Sequence, residues 1–145
     1  MRLAGFDGEW KRYTVDQVAD TFTDGDWIES RHITNNGIRL IQTGNIGLGE
    51  FIEKDDQKYI SIESFHELKC TEVNPGDLLI CRLADPIGRS CLAPDLNVKM
   101  ITSVDVAILR GKQHIVSNKY LNYLLNLPKT LRVMDSLGAG STRKE

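Results

Sequence analysis

The sequence predicts an α+β fold in which short helices lie among the strands of a curved, mixed or antiparallel sheet. Several apolar runs have the length of a strand, and clusters of Gly, Asn, Asp and Pro separate them. A few other segments repeat apolar residues at helical spacing, so helices alternate irregularly with the strands. The 145 residues predict one domain, and a chain of this length buries a sizeable core without disulfides or metals.

The amino-terminal part predicts a tail, a short helix and an irregular segment. Residues 1–9 are expected to be a tail. Thr14–Phe22 begins with a possible threonine cap and places its apolar residues on one face, which predicts a helix. Trp27–Gly37 is polar and without regular periodicity.

The middle of the chain predicts a hairpin followed by a helix. Ile38–Thr43 reads as a strand that is buried on at least one side, and the glycines of Gly44–Gly49 end it. Glu50–Glu53 is expected to be the return strand. Ser61–Lys69 predicts a helix that Ser61 caps, with apolar residues every three positions.

The carboxyl-terminal half predicts three strands, two helical pieces and a tail. In chain order these are the turn at Asn74–Asp77, strands at Leu78–Leu83, Arg89–Ala93 and Lys99–Arg110, a helix at Asn118–Asn126, a second piece after Pro128 that ends near Leu137, and a small, polar tail at 138–145.

The cysteines and histidines do not form a metal-binding pattern. Cys70, Cys81 and Cys91 are an odd number without a CxxC pair, and the three histidines are not grouped with them. The sequence therefore predicts neither a metal nor a cofactor, and Cys81 is expected in the core. Reduced thiols and the lack of a long apolar run predict a cytoplasmic protein without a membrane segment.

The net charge limits how the chain can bind nucleic acid. Eighteen Lys and Arg stand against 20 Asp and Glu, for a formal charge of −2. A free-standing nonspecific DNA binder usually carries a basic excess because it neutralises phosphates. DNA binding by this chain must therefore use a locally basic face or a partner that supplies phosphate contacts.

A set of polar, basic and aromatic residues could contact DNA. Arginine reads guanine and Gln or Asn reads adenine in the major groove, and the amides of Gln42 and Asn45 stand where a strand enters a loop. Trp27 is a large aromatic residue in a polar loop, which is unusual without a packing or binding partner. Scattered surface charge is the alternative interpretation. The candidate DNA-binding residues are Trp27, Glu29, Arg31, Gln42, Asn45, Arg82, Arg89, Arg143 and Lys144.

Two other functions remain open from the residues. The carboxylates of Asp24, Asp26 and Glu29 surround Trp27 and could hold a metal or serve a small hydrolase. The apolar helix at Tyr120–Leu125 could instead pair with another copy of the chain. Catalytic motifs are otherwise lacking: the glycines of Gly44–Gly49 do not have the spacing of a phosphate loop.

The ordered segments together resemble one target-recognition domain of a type I restriction-modification specificity subunit. The resemblance extends from Trp10 to Lys144. Its segments are Trp10–Arg12, Val15 to Ala19, Thr23–Ser30, Gly37–Gly47, Pro75–Ile80, Gly88–Ser90, Met100–Thr102 and the Gly138–Lys144 segment that resembles the end of a recognition domain.

The resemblance implies a non-catalytic DNA-binding module. It would recognise one half of a bipartite double-stranded target, while a methyltransferase subunit modifies adenine and a restriction subunit cuts. The family's long conserved helix would follow Glu145, so residues 1–145 would form a single recognition domain without that helix. The family's base-reading residues vary with the target, so the resemblance assigns no specific base contact.

Overall fold

The structure is a computed structural model that describes residues 2–6, 9–12, 19–83, 86–112 and 117–138. The strands in these ranges are β1 (Arg2–Phe6), β2 (Glu9–Arg12), β3 (Ala19–Thr23), β4 (Ile33–Thr34), β5 (Ile38–Ile41), β6 (Lys58–Ile60), β7 (Leu78–Cys81), β8 (Ser90–Leu92), β9 (Met100–Thr102) and β10 (Val106–Gly111). The helices are α1 (Ile62–Glu67), α2 (Asn118–Leu125) and α3 (Pro128–Gly138), and short 3-10 turns span Ser30–His32 and Thr43–Asn45.

Two four-stranded sheets organise the described residues. The antiparallel sheet has the order β3-β10-β7-β8, and the mixed sheet has the order β4-β6-β5-β9. In the mixed sheet β5 and β9 run parallel, with Arg39 opposite Met100. Strands β1 and β2 form a separate antiparallel pair. Antiparallel and mixed sheets with short helices confirm the predicted α+β fold class.

The central core lies between the two sheets. All four residues of β7 are buried. Because successive side chains of a strand point in opposite directions, both faces of β7 must be covered. Leu79 and Cys81 face the central core, and Leu78 and Ile80 face helix α2. Cys81 is thus a core residue, as predicted. The buried residues of the central core are Ile41, Ile46, Val73, Leu79, Cys81, Cys91, Ala93, Met100, Val106 and Ile108.

Helices cover the outer faces of the sheets. Leu121 and Leu125 of α2 pack on the antiparallel sheet, and Phe65 of α1 packs on the mixed sheet. Each such fully buried side chain contributes about 2 kcal/mol. Helix α1 begins after Ser61, whose hydroxyl accepts a hydrogen bond from the Ser64 backbone N–H at 3.1 Å, as its sequence predicts. None of the helices in the described ranges is long and apolar enough to cross a membrane.

The amino-terminal segment differs from its sequence prediction. Residues 14–18 of the expected helix lie outside the described residues, and residues 19–22 belong to strand β3. Exposure along Ala19–Thr23 alternates with a period of two, and the strand pairs with β10, which overrides the weak helical spacing. Residues 1–9, expected as a tail, contain β1 and the first residue of β2.

The expected return strand at Glu50–Glu53 is wrong. Only Phe51 forms a bridge, to Ile46, and β6 is the strand that returns beside β5. The chain curls because the Gly47 N–H donates to the Glu50 carbonyl at 2.9 Å and forms a tight turn. The Ile52 N–H then donates to the Asn45 carbonyl at 2.7 Å, so these residues pair within the loop and not with β5.

The single strand expected at Lys99–Arg110 is two strands in different sheets. A turn at Ser103–Asp105, which the Val106 N–H closes on the Ser103 carbonyl at 3.0 Å, separates β9 from β10. Strand β9 joins the mixed sheet and β10 joins the antiparallel sheet. Apolar and other residues alternate without interruption through this turn, so the hydrophobic pattern of the sequence does not reveal where one strand ends and the next begins. The remaining predicted strands, at Ile38–Thr43, Leu78–Leu83 and Arg89–Ala93, are confirmed with shorter bounds.

Candidate nucleic-acid interface

Three chain segments that run in the same direction finish side by side at the carboxyl ends of β5 and β9, along one rim of the mixed sheet. Strands β5 and β9 are parallel, and Asp26 forms a parallel bridge with Ser103, which follows β9. The Ser103 N–H donates to the Ile41 carbonyl at 3.0 Å, and the Asp26 N–H donates to the Thr102 carbonyl at 2.9 Å. Gln42 follows Ile41 and Trp27 follows Asp26, so both lie at this edge, which we call the reading edge.

The backbone before Trp27 is held tightly against β9. A Cβ atom on Gly25 would lie 2.0 Å from the Ser103 carbonyl oxygen, so only glycine fits there. The Asp26 carboxylate accepts a hydrogen bond from the Thr71 N–H at 2.9 Å, and burial raises its pKa. The Trp27 side chain is nevertheless exposed, at 76% of its full area. A large indole on a fixed backbone is suited to contact a partner.

Glu29 and Arg31 form an exposed ion pair next to Trp27. Their closest atoms, Nε of Arg31 and Oε1 of Glu29, are 2.8 Å apart. The hydrogen bond from Arg31 lowers the pKa of Glu29. Buried His32 braces this turn, because its Nδ1 accepts the Glu29 N–H at 3.1 Å. The guanidinium therefore stands in solvent beside a carboxylate that offsets its charge.

Asn45 shapes the loop that follows β5. The glycine loop, Gly44–Ile52, begins in the 3-10 turn after Gln42. Asn45 is 6% exposed; its Oδ1 accepts the Gln42 N–H at 3.0 Å and its Nδ2 donates to the Ile52 carbonyl at 2.8 Å. Its amide thus links Gln42, which precedes the glycine loop, to Ile52 at the end of that loop, and Gln42 itself is half-buried.

Arg89 fastens the glycine loop to the turn before β8. Its guanidinium donates to four carbonyl oxygens: Ile46 at 2.7 Å, Leu83 at 3.0 Å, Thr43 at 3.1 Å and Pro86 at 3.2 Å. Buried carbonyl groups need partners, and the planar guanidinium satisfies several of them from one point. In this conformation Arg89 contributes to structure, since its donors face the protein.

Arg82 forms an ion pair with Asp24 beside the reading edge. Its Nη1 contacts the Asp24 carboxylate, and its side chain is 18% exposed. Its backbone N–H donates to the Asp105 carbonyl at 2.8 Å. Arg82 would have to leave Asp24 before its guanidinium could contact a base or a phosphate through the same atoms.

A shallow depression of about 420 Å³ lies between the glycine loop and the turn before β8. Leu48 and Ile52 on its rim are 60% and 43% exposed, and the Lys54 side chain lies beside Gly44. The sequence prediction did not include Leu48 or Ile52, although apolar residues between the glycines and charges of a surface loop are a usable signal. The depression is lined by Gly44, Ile46, Gly47, Leu48, Glu50, Ile52, Pro86 and Arg89.

The tertiary structure gathers candidate residues that are distant in sequence. Gln42, Asn45 and Arg89 come together around the glycine loop, and Trp27 lies on the same edge. Arg82 contacts Asp24 and precedes Leu83, whose carbonyl accepts a hydrogen bond from Arg89. Glu29 and Arg31 follow Trp27 in the adjoining turn. Arg143 and Lys144 lie outside the described residues.

The two alternative sites do not assemble as the sequence suggested. The three carboxylates of the acidic loop face different partners, namely Arg82 for Asp24, Thr71 for Asp26 and Arg31 for Glu29. The described residues contain no group of three or more His, Cys, Asp or Glu that could hold a metal. On α2, Leu121 and Leu125 are buried within the chain, so this apolar face is already covered.

Comparisons with solved structures find the same fold. A chain from a structure of a type I R-M system, determined to explain its complex assembly and conformational transition, matches with a TM-score of 0.60 at 18% identity, over 90% of this chain and 29% of that one. The HsdS subunit from Thermoanaerobacter tengcongensis matches with a TM-score of 0.59 at 19% identity, over 94% of this chain and 38% of that one. No protein-family model and no curated protein matches the chain. This chain therefore has the fold of about a third of each matched chain.

Proposed function

We propose that this chain is a non-catalytic DNA-recognition domain of a type I restriction-modification specificity subunit, and that it binds one half of a bipartite target. The observation that carries the proposal is the shared fold with an HsdS subunit over 94% of the chain. The ordered sequence segments that resemble such subunits support it independently. The remaining length of the matched chains leaves room for a second recognition unit and for connecting segments.

The proposal assigns different tasks to the candidate residues. Gln42, Trp27 and Arg31 present side chains at or next to the reading edge and are the proposed base or backbone contacts. Asn45 and Arg89 keep the glycine loop in shape, because their polar atoms are bonded to backbone groups. These two groups of residues would together allow binding in the major groove, because specific base recognition needs a few well-placed polar side chains on a rigid support.

Charge explains why such a domain would act with partners. The reading edge carries Asp24, Asp26 and Glu29 beside its arginines, and the whole chain has a charge of −2. Phosphate neutralisation supplies most of the affinity of DNA-binding proteins, so we expect weak binding by this chain alone. We propose that a methyltransferase subunit supplies phosphate contacts and the adenine chemistry, that a restriction subunit joins through that complex, and that the assembly is cytoplasmic.

Selection from randomised duplex DNA tests the proposal. The whole chain, immobilised at low ionic strength, should enrich one short sequence from a library, and its affinity for that sequence should fall as salt rises. Gln42→Ala should lower the affinity for the enriched duplex by about tenfold, which corresponds to about 1.4 kcal/mol for a lost base contact.

A matched amide provides the control. Asn36 is exposed in the turn at the opposite end of β5, so Asn36→Ala should leave the affinity unchanged. Low ionic strength strengthens the phosphate attraction that a partner would otherwise supply, so failure of the wild-type chain to enrich any sequence under this condition would contradict the proposed function. An equal loss of affinity in both variants would remove Gln42 from the base-reading residues.

A further inference from the structure

The outer edge of β8 is completed by two asparagine side chains, Asn122 of α2 and Asn126, the residue that caps the carboxyl end of that helix. Strand β8 is the last strand of the antiparallel sheet, so Ser90 has backbone groups that no further strand can pair. The Ser90 N–H donates to Asn126 Oδ1 at 3.1 Å, and Asn126 Nδ2 donates to the Ser90 carbonyl at 3.0 Å. One side-chain amide thus takes the place of a neighbouring strand, at a residue that is fully buried.

The same asparagines extend this network to the glycine loop. The Gly49 N–H also donates to the Ser90 carbonyl, at 2.8 Å. Asn122 Nδ2 donates to the Gly49 carbonyl at 3.2 Å, and Asn122 Oδ1 accepts from the Ser90 hydroxyl at 3.0 Å. Both backbone polar groups of Gly49 are therefore held by α2 and β8. Gly49 has a φ of +90°, a conformation that glycine adopts readily and that side chains disfavour.

Helix α2 itself is anchored by other residues. Leu121 and Leu125 are 2% and 6% exposed in the cluster with Leu78 and Leu109, and this apolar packing holds the helix on the sheet. The asparagines lie at the side of this apolar face, spaced by one helical turn. They are not needed to bury the helix, and their contacts go to Ser90 and to the glycine loop.

We propose that Asn122 and Asn126 are positioning residues for base discrimination: they transmit the placement of α2, through Ser90 and Gly49, to the glycine loop of the reading edge. This inference rests on the proposed DNA-recognition function. The network fixes Gly49 at the tip of the glycine loop, next to exposed Leu48, while Arg89 and Asn45 fix the base of the same loop. Loss of either asparagine amide therefore alters the shape that the loop offers to a base pair, without removing any group that touches DNA.

Two substitutions at Asn122 separate its contacts. Asn122→Ala removes the donor to Gly49 and the acceptor that serves both the Ser90 hydroxyl and Asn126 Nδ2. Asn122→Asp keeps an acceptor for the hydroxyl and loses the donor. Both variants should lower the ratio of affinities for the selected duplex and a scrambled duplex by about tenfold, with the salt dependence unchanged, because phosphate contacts stay in place.

A matched control on the same helix distinguishes positioning from general destabilisation. Leu124 packs at the margin of the apolar cluster and its side chain has no hydrogen-bonding group, so Leu124→Ala weakens the packing of α2 without removing a hydrogen bond to Gly49. It should lower the melting temperature and leave the affinity ratio unchanged. Hydrogen exchange of the Gly49 amide, measured on each whole chain without DNA, should accelerate at least about tenfold in the Asn122 variants only, because opening of the loop is then local.

The outcomes separate this inference from the function on which it rests. Unchanged Gly49 exchange in Asn122→Ala, or equal effects of Asn122→Ala and Leu124→Ala on the affinity ratio, would overturn the positioning role. A wild-type chain that selects no sequence would overturn the proposed function and, with it, the role in base discrimination. Gly49 exchange would still report in that case whether α2 holds the loop.

Discussion

Arg39 and Glu53 form a two-point ion pair that joins β5 to the end of the loop that follows it. Nη1 of Arg39 donates to Oε2 of Glu53 at 3.1 Å, and Nη2 contacts Oε1. The Arg39 side chain is 4% exposed and the Glu53 side chain is 43% exposed. A buried guanidinium needs such a partner, and the paired fork fixes both distance and orientation. The pair therefore closes the glycine loop at its base.

Substitution of Glu53 should destabilise the fold. Glu53→Gln removes the negative charge and leaves the Arg39 guanidinium buried with a weaker partner, which should cost about 2 kcal/mol in the free energy of unfolding. Urea denaturation followed by circular dichroism measures this. Glu50→Gln changes an exposed carboxylate of the same loop and should stay within about 0.5 kcal/mol of the wild type. Equal values for the two variants would contradict the role of the ion pair.

The same pair predicts a pH dependence. The hydrogen bond from Arg39 lowers the pKa of Glu53 below its ordinary value of 4.5. Stabilisation by a carboxylate with a lowered folded-state pKa is complete above the unfolded-state value and is lost as the pH falls through the folded-state pKa. Unfolding free energies of the wild type and of Glu53→Gln should therefore stay apart at pH 7, begin to converge as the pH falls below 4.5, and meet only below the lowered folded-state pKa. A constant difference between pH 7 and pH 3 would refute this linkage.

Arg89 should prove a structural residue when tested alone. Arg89→Lys retains the charge but replaces a planar fork that bonds four carbonyl groups with a single ammonium group. We expect a loss of about 2 kcal/mol in stability, because carbonyl groups near the glycine loop lose their donors. Arg132→Lys on α3 alters an exposed arginine and should be nearly neutral. Thermal and urea unfolding of the two variants make the comparison.

Gly25 should tolerate no side chain. The Cβ of Gly25→Ala would lie 2.0 Å from the Ser103 carbonyl oxygen and 2.5 Å from the Thr102 hydroxyl oxygen, so the chain before Trp27 must move away from β9. The expected cost is about 2–3 kcal/mol. In Gly44→Ala the new Cβ meets only the flexible Lys54 side chain at 3.3 Å, and stability should be unchanged or slightly higher. Similar denaturation midpoints for both variants would show that the segment is free to shift.

Trp27 should matter for binding and not for folding. Its side chain is 76% exposed, so Trp27→Ala should change the unfolding free energy by less than about 0.5 kcal/mol. Affinity for the selected duplex should fall about tenfold, since exposed aromatic residues with rigid support are frequent hot spots. Tyr123→Ala removes another exposed aromatic residue, 63% exposed on α2, and should bind as the wild type does. Fluorescence anisotropy with labelled duplex measures both.

The sequence by itself determined most local elements. The predicted helices at Ser61–Lys69 and Asn118–Asn126, and the apolar strands at Ile38 and Leu78, follow from period, capping residues and turn chemistry. These signals act within about ten residues, and tertiary contacts reinforce them. The same kind of local pattern gave wrong predictions at residues 19–22, expected as part of a helix, and at Lys99–Arg110, expected as one strand. In both segments, pairing with neighbouring strands overrides the pattern of the residues.

Only the tertiary structure decided what the candidate side chains do. In the sequence Arg39 is an ordinary polar residue of a predicted strand. In the structure it is buried, and the Glu53 carboxylate compensates its charge. Arg89 and Asn45 looked suited to read bases, yet their donors and acceptors are bonded to backbone groups of the glycine loop. A carbonyl oxygen has no signature in the sequence, since every residue carries one, so its pairing with a side chain up to 46 residues away appears only once the chain is folded.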